Sequence, residues 1–159
     1  MNDVFLLLGS NLGNREGYLQ TAIGHIETAI APVVNKSSVY ETQSWGKTDE
    51  PDYLNQVVEI KTDSSPQDVL QKILRIESLM GRKREEKWGS RIIDIDILFY
   101  GTDIISEPGL IIPHPELQNR RFTLEPLNEI APYLIHPVFR KSVFQLKSEL
   151  KDNLLIKKL

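Results

Sequence analysis

Two stretches of helical periodicity, each bracketed by extended apolar runs, confine the first two thirds of the chain to very few folds. Val4 to Leu8 is an unbroken apolar run, too short for a helix core and read as a buried first strand. A turn over Gly9 to Asn14 follows, with Asn14 placed to cap a helix. Tyr18, Leu19, Ala22, Ile23, Ile26, Ala29 and Ile30 then recur at helical spacing until Pro32 ends the run. Val33 to Tyr40 and Tyr53 to Thr62 read as strands on either side of a polar loop, Glu41 to Asp52. Ser65 and Pro66 open a second helix as N-cap and first helical residue; Val69, Leu70, Ile73, Leu74, Ile76, Leu79 and Met80 give it an apolar face, and Gly81 stops it. A last strand ends at Tyr100. The order β-α-β-β-α-β is that of a ferredoxin-like α+β core, an antiparallel sheet with both helices on one face. The remaining third predicts a short strand at Asp103 to Ile105, an extended piece at Leu110 to Ile112, a helix from Arg121 to Ile130 interrupted at Pro126, and a helix from Val143 to Lys151. These would cover the other face and give an α/β/α three-layer arrangement in one domain, residues 1–159.

Within the last strand of that core, Ile93, Ile95 and Ile97 alternate with Asp94 and Asp96. Residues two apart on a strand project to one face, so the two carboxylates would stand side by side, their Cα atoms roughly 6.5–7 Å apart. Ile92 and Leu98 are expected to flank them there. Like charges so placed need a cation, a proton or an arginine between them, which points to a divalent metal; a solvated edge strand would carry the same pattern. The segment just before it, Gly81 to Arg91, holds five basic residues, two glutamates and a tryptophan, with glycines near each end. A cationic, glycine-bounded loop leading into paired aspartates is the layout a polyphosphate with Mg²⁺ requires, and an exposed helix-to-strand connection would also accommodate it.

Composition narrows the partners. Net charge is −3, so a nucleic-acid-binding role gains no support, and the local basic loop suits a small polyanion better than a duplex. The chain has no cysteine, which excludes disulfides and thiolate metal sites and agrees with a cytoplasmic location. The N-terminal apolar run lacks a basic flank and the length of a signal peptide or a membrane span. No heptad or apolar patch calls for a dimer, so a monomer is expected.

Arg82, Trp88-Gly89, Arg91, Asp94 and Asp96, followed by Pro113-His114-Pro115 and Asn119-Arg120-x-Phe122, resemble one family closely. So do Leu8 to Gly13, Tyr40-Glu41-Thr42, Pro51 to Asn55, Pro126-Leu127 and Ile130-Ala131-Pro132. The family is that of the 6-hydroxymethyl-7,8-dihydropterin pyrophosphokinases of folate biosynthesis. The resemblance implies an ATP- and Mg²⁺-dependent diphosphotransferase in which the pterin's hydroxymethyl oxygen attacks the β-phosphorus of ATP and AMP leaves. It implies that Asp94 and Asp96 hold two Mg²⁺ ions, that Arg82 and Arg91 act catalytically by clamping the phosphates, and that Glu77, Arg84, Trp88, Ile97, Ile111, His114 and Arg120 contact the nucleotide together with them. Transfer of this kind needs alignment and charge neutralisation more than covalent help, which agrees with that residue set.

For the acceptor, Tyr53 and Asn55 share a strand face, putting an aromatic platform beside an amide that can both donate and accept. By resemblance Phe122 closes the opposite side of the pterin, and Thr42, Gln43 and Trp45 complete the pocket. Core packing would otherwise account for Tyr53 and Phe122. Gln43-Ser44 stands where prolines are common in the family, and Leu74, Gly109 and Pro115 stand where some members carry polar or aromatic nucleotide contacts. Two other functions fit the carboxylate pair: another two-metal phosphoryl or nucleotidyl transferase, and a non-catalytic ligand-binding module. The first would need a different acceptor pocket, and the second has no use for arginines beside metal carboxylates.

Overall fold

The hydrophobic patterning resolves into a sheet buried on both sides. A computed structural model of the chain describes residues 1–42, 52–81, 92–152 and 154–159. The elements run β1 (Asn2–Ser10), α1 (Arg15–Ala29), β2 (Val33–Lys36), β3 (Tyr40–Thr42), β4 (Tyr53–Thr62), α2 (Pro66–Leu79), β5 (Asp94–Tyr100), β6 (Ile105–Glu107), β7 (Leu110–Ile112), a 3₁₀ turn (Leu117–Asn119), α3 (Arg121–Ile130), α4 (Val143–Ser148) and β8 (Ile156–Lys158). The main sheet has the order β5-β1-β4-β3-β8, with β2 also pairing β4, and every pairing is antiparallel. It is the ferredoxin-like arrangement expected from the sequence. β6 and β7 form a separate hairpin.

Alternation along each strand sorts the side chains into two cores. Val4, Leu6, Leu8, Val58 and Ile60 face α1 and α2, which contribute Leu19, Ala22, Ile26, Val69, Ile73 and Ile76. Phe5, Leu7 and Val57 face the other way, onto Leu117, Leu124, Leu127, Val143 and Leu146 of the C-terminal third. The three layers are thus helix, sheet, helix. β5 divides itself between the cores through a register shift opposite Phe5 and Leu6, after which Leu98 and Phe99 both join the second core.

Local signals account for the helix starts. The Asn14 side chain accepts a hydrogen bond from the Gly17 N–H, and that of Ser65 accepts from the Asp68 N–H. Several expectations change. The Val33–Tyr40 run breaks into β2 and β3 because Ser37 takes over the ladder. Its N–H donates to the Val57 carbonyl (2.8 Å), its hydroxyl accepts from the Val57 N–H (3.0 Å), and its carbonyl accepts from the Gln56 side chain (2.7 Å). α3 passes through Pro126 without interruption, since Leu124, Pro126 and Leu127 are buried and packing outweighs the one helix bond that proline cannot donate. The short strand lies at Ile105–Glu107, two residues later than expected. α4 ends at Ser148, and β8 has no counterpart in the expected elements. Ile92 packs against the α1–α2 core and so does not flank the aspartates. No helix among the described residues is long and apolar enough to cross a membrane.

Candidate active site

Register, which no single segment of sequence displays, brings the candidate residues together. Residues directly opposite in an antiparallel pair project to the same face. Asp94 pairs with Gly9, Gly9 with Asn55, and Asn55 with Tyr40, so one row crosses β5, β1, β4 and β3. The neighbouring row runs through Asp96, Leu7 and Val57, and Tyr53 pairs with Thr42. Asp94, Asp96, Asn55, Tyr53 and Thr42 therefore share the face that α3 and α4 cover, at the end of the sheet where β1 finishes.

Gly9 is the close approach in that row. A Cβ there would lie 2.8 Å from Asn55 Nδ2, so only glycine leaves the amide its place between the strands. Asn55 is buried, with Nδ2 3.5 Å from the Leu8 carbonyl. Thr42 is 3% exposed, and among the described residues its Oγ1 has no hydrogen-bond partner. A buried hydroxyl in that state costs about 1–3 kcal/mol, a cost that a polar ligand edge would remove. Phe122 is the second residue of α3, packed against the second core, with the Arg120 guanidinium 5.5 Å over its ring.

A second set of candidates lines a cleft of about 250 Å³ on the outer edge of β5. Leu70, Ile95, Asp96, Ile97, Ile111 and His114 are among its walls, with Gly109 and Pro115 beside them. Leu74, at 43% exposure, lies outside this lining. Glu77 is only 3% exposed, and its carboxylate accepts the Ile95 N–H at 2.8 Å. That bond shows that Ile95 turns its backbone groups away from β1. The alternation of an antiparallel strand then turns the N–H and carbonyl of Ile97 outward too, into the cleft. Asp96 belongs to both places: it lines this cleft and shares a strand face with Asp94.

Hydrogen bonds hold both the backbone and the ring of His114. Its N–H donates to the Leu98 carbonyl (3.0 Å), and its Nδ1 accepts the Glu116 N–H (3.1 Å), which leaves the ring proton on Nε2. Burial pushes the imidazole below its usual value; Asp96 and Glu116 pull it up, Arg120 pushes it further down, and the net direction is down. At neutral pH His114 is therefore an uncharged donor. His136, by contrast, is structural: buried against Phe99 and Phe139, its Nδ1 accepts the N–H groups of Val138 and Phe139.

The carboxylate pair suits a hard cation of one kind. Among the described residues no group of three acidic, histidine or cysteine side chains could enclose a metal, and Asp94 and Asp96 are two carboxylates on one strand face. Mg²⁺ is bound in that way, by one or two carboxylates with waters and phosphate oxygens completing the octahedron. Gln43, Trp45, Arg82, Arg84, Trp88 and Arg91 lie outside the described residues. Sequence reasoning missed Arg15, whose Nη1 donates to Glu41 Oε2 (3.0 Å) and to the Asp52 carbonyl (2.7 Å), joining the strands on either side of residues 43–51. A basic residue in the first turn of a helix is ordinary, so nothing in the sequence marked it.

The fold defines a class of α+β protein, a ferredoxin-like sheet that here carries a carboxylate pair between an edge cleft and the strand face of Asn55 and Tyr53. The family model described as 7,8-dihydro-6-hydroxymethylpterin-pyrophosphokinase matches residues 5–132, and the chain belongs to that family. It is 43% identical over 149 residues to the 2-amino-4-hydroxy-6-hydroxymethyldihydropteridine pyrophosphokinase of Aquifex aeolicus, covering 94% of this chain and 92% of that one. The enzyme of the same name from Haemophilus influenzae is 38% identical over 158 residues, covering 99% and 98%. Among solved structures, wild-type HPPK-DHPS of Plasmodium falciparum shares the fold with a TM-score of 0.76 at 20% identity, over 93% of this chain and 44% of that one. This chain thus spans less than half of that solved protein.

Proposed function

We propose that the chain transfers the β,γ-diphosphate of ATP to the hydroxymethyl oxygen of 6-hydroxymethyl-7,8-dihydropterin, giving the pterin diphosphate and AMP in folate biosynthesis. The hydroxyl oxygen bonds to the β-phosphorus, the bond from that phosphorus to the oxygen bridging the α-phosphate breaks, and AMP leaves with that oxygen while the hydroxyl proton is released. The pyrophosphokinase relatives, similar over nearly their whole length, support this reaction. The observation that carries it is the placement of Asp96, on the wall of the edge cleft and on the same sheet face as Asn55 and Tyr53.

The nucleotide fits the edge cleft. The outward N–H and carbonyl of Ile97 offer a purine edge one donor and one acceptor, and Ile97 and Ile111 supply apolar walls. The Nε2–H of His114 and the guanidinium of Arg120 would donate to phosphate oxygens. Asp94 and Asp96 would hold two Mg²⁺ ions, which supply charge neutralisation on the phosphates when bound. Arg82 and Arg91 act on the same charge from the segment that precedes β5 in sequence, with Arg84 and Trp88 on the nucleotide and Glu77 fixing the strand beneath it. The pterin lies between Tyr53 and Phe122, with Asn55, Thr42 and the segment of Gln43 and Trp45 reading its polar edge. The chain is taken to act as one domain and as a monomer in the cytoplasm, in keeping with the absence of cysteine.

The test is direct. Incubated with ATP, Mg²⁺ and 6-hydroxymethyl-7,8-dihydropterin, the purified protein should release AMP in step with pterin diphosphate. ADP as product, or no turnover that depends on the pterin, overturns the proposal.

A further inference from the structure

The two walls assigned to the pterin come from different layers, and something must hold them apart at a fixed spacing. Tyr53, Asn55 and Thr42 stand on the sheet, whereas Phe122 stands on α3. The last residues of the chain tie the two together. Arg120, which precedes α3, makes no side-chain cap. Instead Asp152 Oδ2 accepts the Arg121 N–H at 3.1 Å, one residue before Phe122, while Oδ1 accepts the Leu154 N–H at 2.8 Å. A carboxylate there satisfies a free amide of the helix start and complements its dipole. Two residues beyond Leu154, β8 begins and pairs with β3, setting Ile156 opposite Thr42 and Lys158 opposite Tyr40. The Leu159 N–H donates to the Val39 carbonyl at 2.9 Å. One segment, 152–159, therefore grips both the helix that carries Phe122 and the strand that carries Thr42. It lies beyond residue 132, where the match to the family model ends.

We propose that Asp152 is a positioning residue for the acceptor site, fixing the first turn of α3 so that Phe122 stands at stacking distance from the wall formed by Tyr53, Asn55 and Thr42. The inference rests on the assignment of Phe122 and Tyr53 to the pterin. A merely structural Asp152 would lower stability and leave substrate discrimination alone, whereas a positioning role acts on one substrate.

The experiment measures KM for pterin, KM for ATP, kcat and thermal midpoint in the full chain for Asp152→Ala, Asp152→Asn, Phe122→Ala and the Asp152→Ala/Phe122→Ala double variant. Asp152→Ala should raise the pterin KM roughly threefold to thirtyfold, the range set by loss of a helix cap, with ATP KM and kcat held within about twofold. Asparagine keeps one acceptor oxygen and should restore part of the loss. In the Phe122→Ala background, removing the Asp152 carboxylate should add almost nothing, since the group it positions is gone. An unchanged pterin KM in Asp152→Ala overturns the proposal, as does an equal rise in both KM values or a full-sized effect in the Phe122→Ala background. If Asp152→Ala does not fold, Asp152→Asn alone decides by the same split between pterin and ATP. Should Phe122→Ala itself leave pterin KM unchanged, the assignment of Phe122 fails and this inference fails with it, a result distinct from a silent Asp152.

Discussion

At the scale of single residues, the site depends on what is absent as much as on what is present. Gly9 separates Asp94 from Asn55 in one row of the sheet, and its missing side chain is the space that the Asn55 amide occupies. In Gly9→Ala the new methyl would meet Nδ2 at 2.8 Å and push the amide off its position. Pterin affinity should fall by roughly tenfold, the worth of one well-placed hydrogen bond, while the ATP KM stays near its original value. Titration of the pterin by fluorescence in both proteins checks this. In the proposed reaction Asp96 makes the opposite case, a side chain whose charge is its contribution. Asp96→Ala should cut kcat by roughly a thousandfold or more if it anchors the metal-bound phosphates, and leave circular dichroism and thermal midpoint close to those of the parent. Near-normal turnover would remove Asp96 from the assignment.

Among elements, α3 is the most informative because it is fastened at both ends. At its C-terminal end Glu129 accepts from the Ser38 N–H (3.1 Å), the Ser38 hydroxyl (3.0 Å) and the Tyr40 hydroxyl (2.8 Å), with Lys158 of β8 at 4.0 Å. Burial pushes the Glu129 carboxyl up, but the hydrogen bonds from Tyr40 and Ser38, helped by Lys158, outweigh it and hold it below the ordinary carboxylate range. Burial, with Glu129 opposite, pushes the Tyr40 hydroxyl well up, so it remains a donor throughout the physiological range. A carboxyl depressed in the folded state contributes stability above its unfolded value and loses it as pH falls through the folded one. Glu129→Gln should therefore be less stable than the parent by about 1 kcal/mol at pH 7, and the gap should close toward pH 3. Urea unfolding at both pH values measures it; a gap that persists in acid refutes the charge as its source. None of this is legible in the sequence. The sequence displayed β4 to the residue and α2 with its Ser65 cap, because alternation and capping are local. It did not display the β2–β3 break, where the Ser37 hydroxyl competes with the ladder, or β8, whose lysine-rich run resembles a frayed end until β3 is there to pair with it.

For the whole molecule, the division of one sheet between two cores explains where chemistry is possible. Aliphatic side chains fill most of the α1–α2 face, and the α3–α4 face is filled only as far as Leu7, Val57 and Phe99. Beyond them, at the end where β1 finishes, the same face carries Asp94, Asp96, Asn55, Tyr53 and Thr42 in place of apolar residues. The motifs named these residues one at a time, but their convergence is a property of register across four strands, and the edge cleft depends on which way the β5 backbone turns. Local pattern contains neither. A site assembled from so many strands exists only in the folded chain, so a ligand that bridges them must stabilise the fold by mass action. At one hundred times its Kd a ligand adds about 2.7 kcal/mol. For a chain of this size that corresponds to a rise of roughly 5–10 °C in thermal midpoint. ATP with Mg²⁺ should give that rise, and ATP with EDTA much less, because the phosphates would then face two uncompensated carboxylates. In Asp96→Ala the difference between the Mg²⁺ and EDTA conditions should shrink toward zero while some stabilisation by ATP itself persists through the cleft of Ile97 and Ile111. A parent protein that ATP stabilises equally with and without Mg²⁺ would show that Asp94 and Asp96 do not hold the metal.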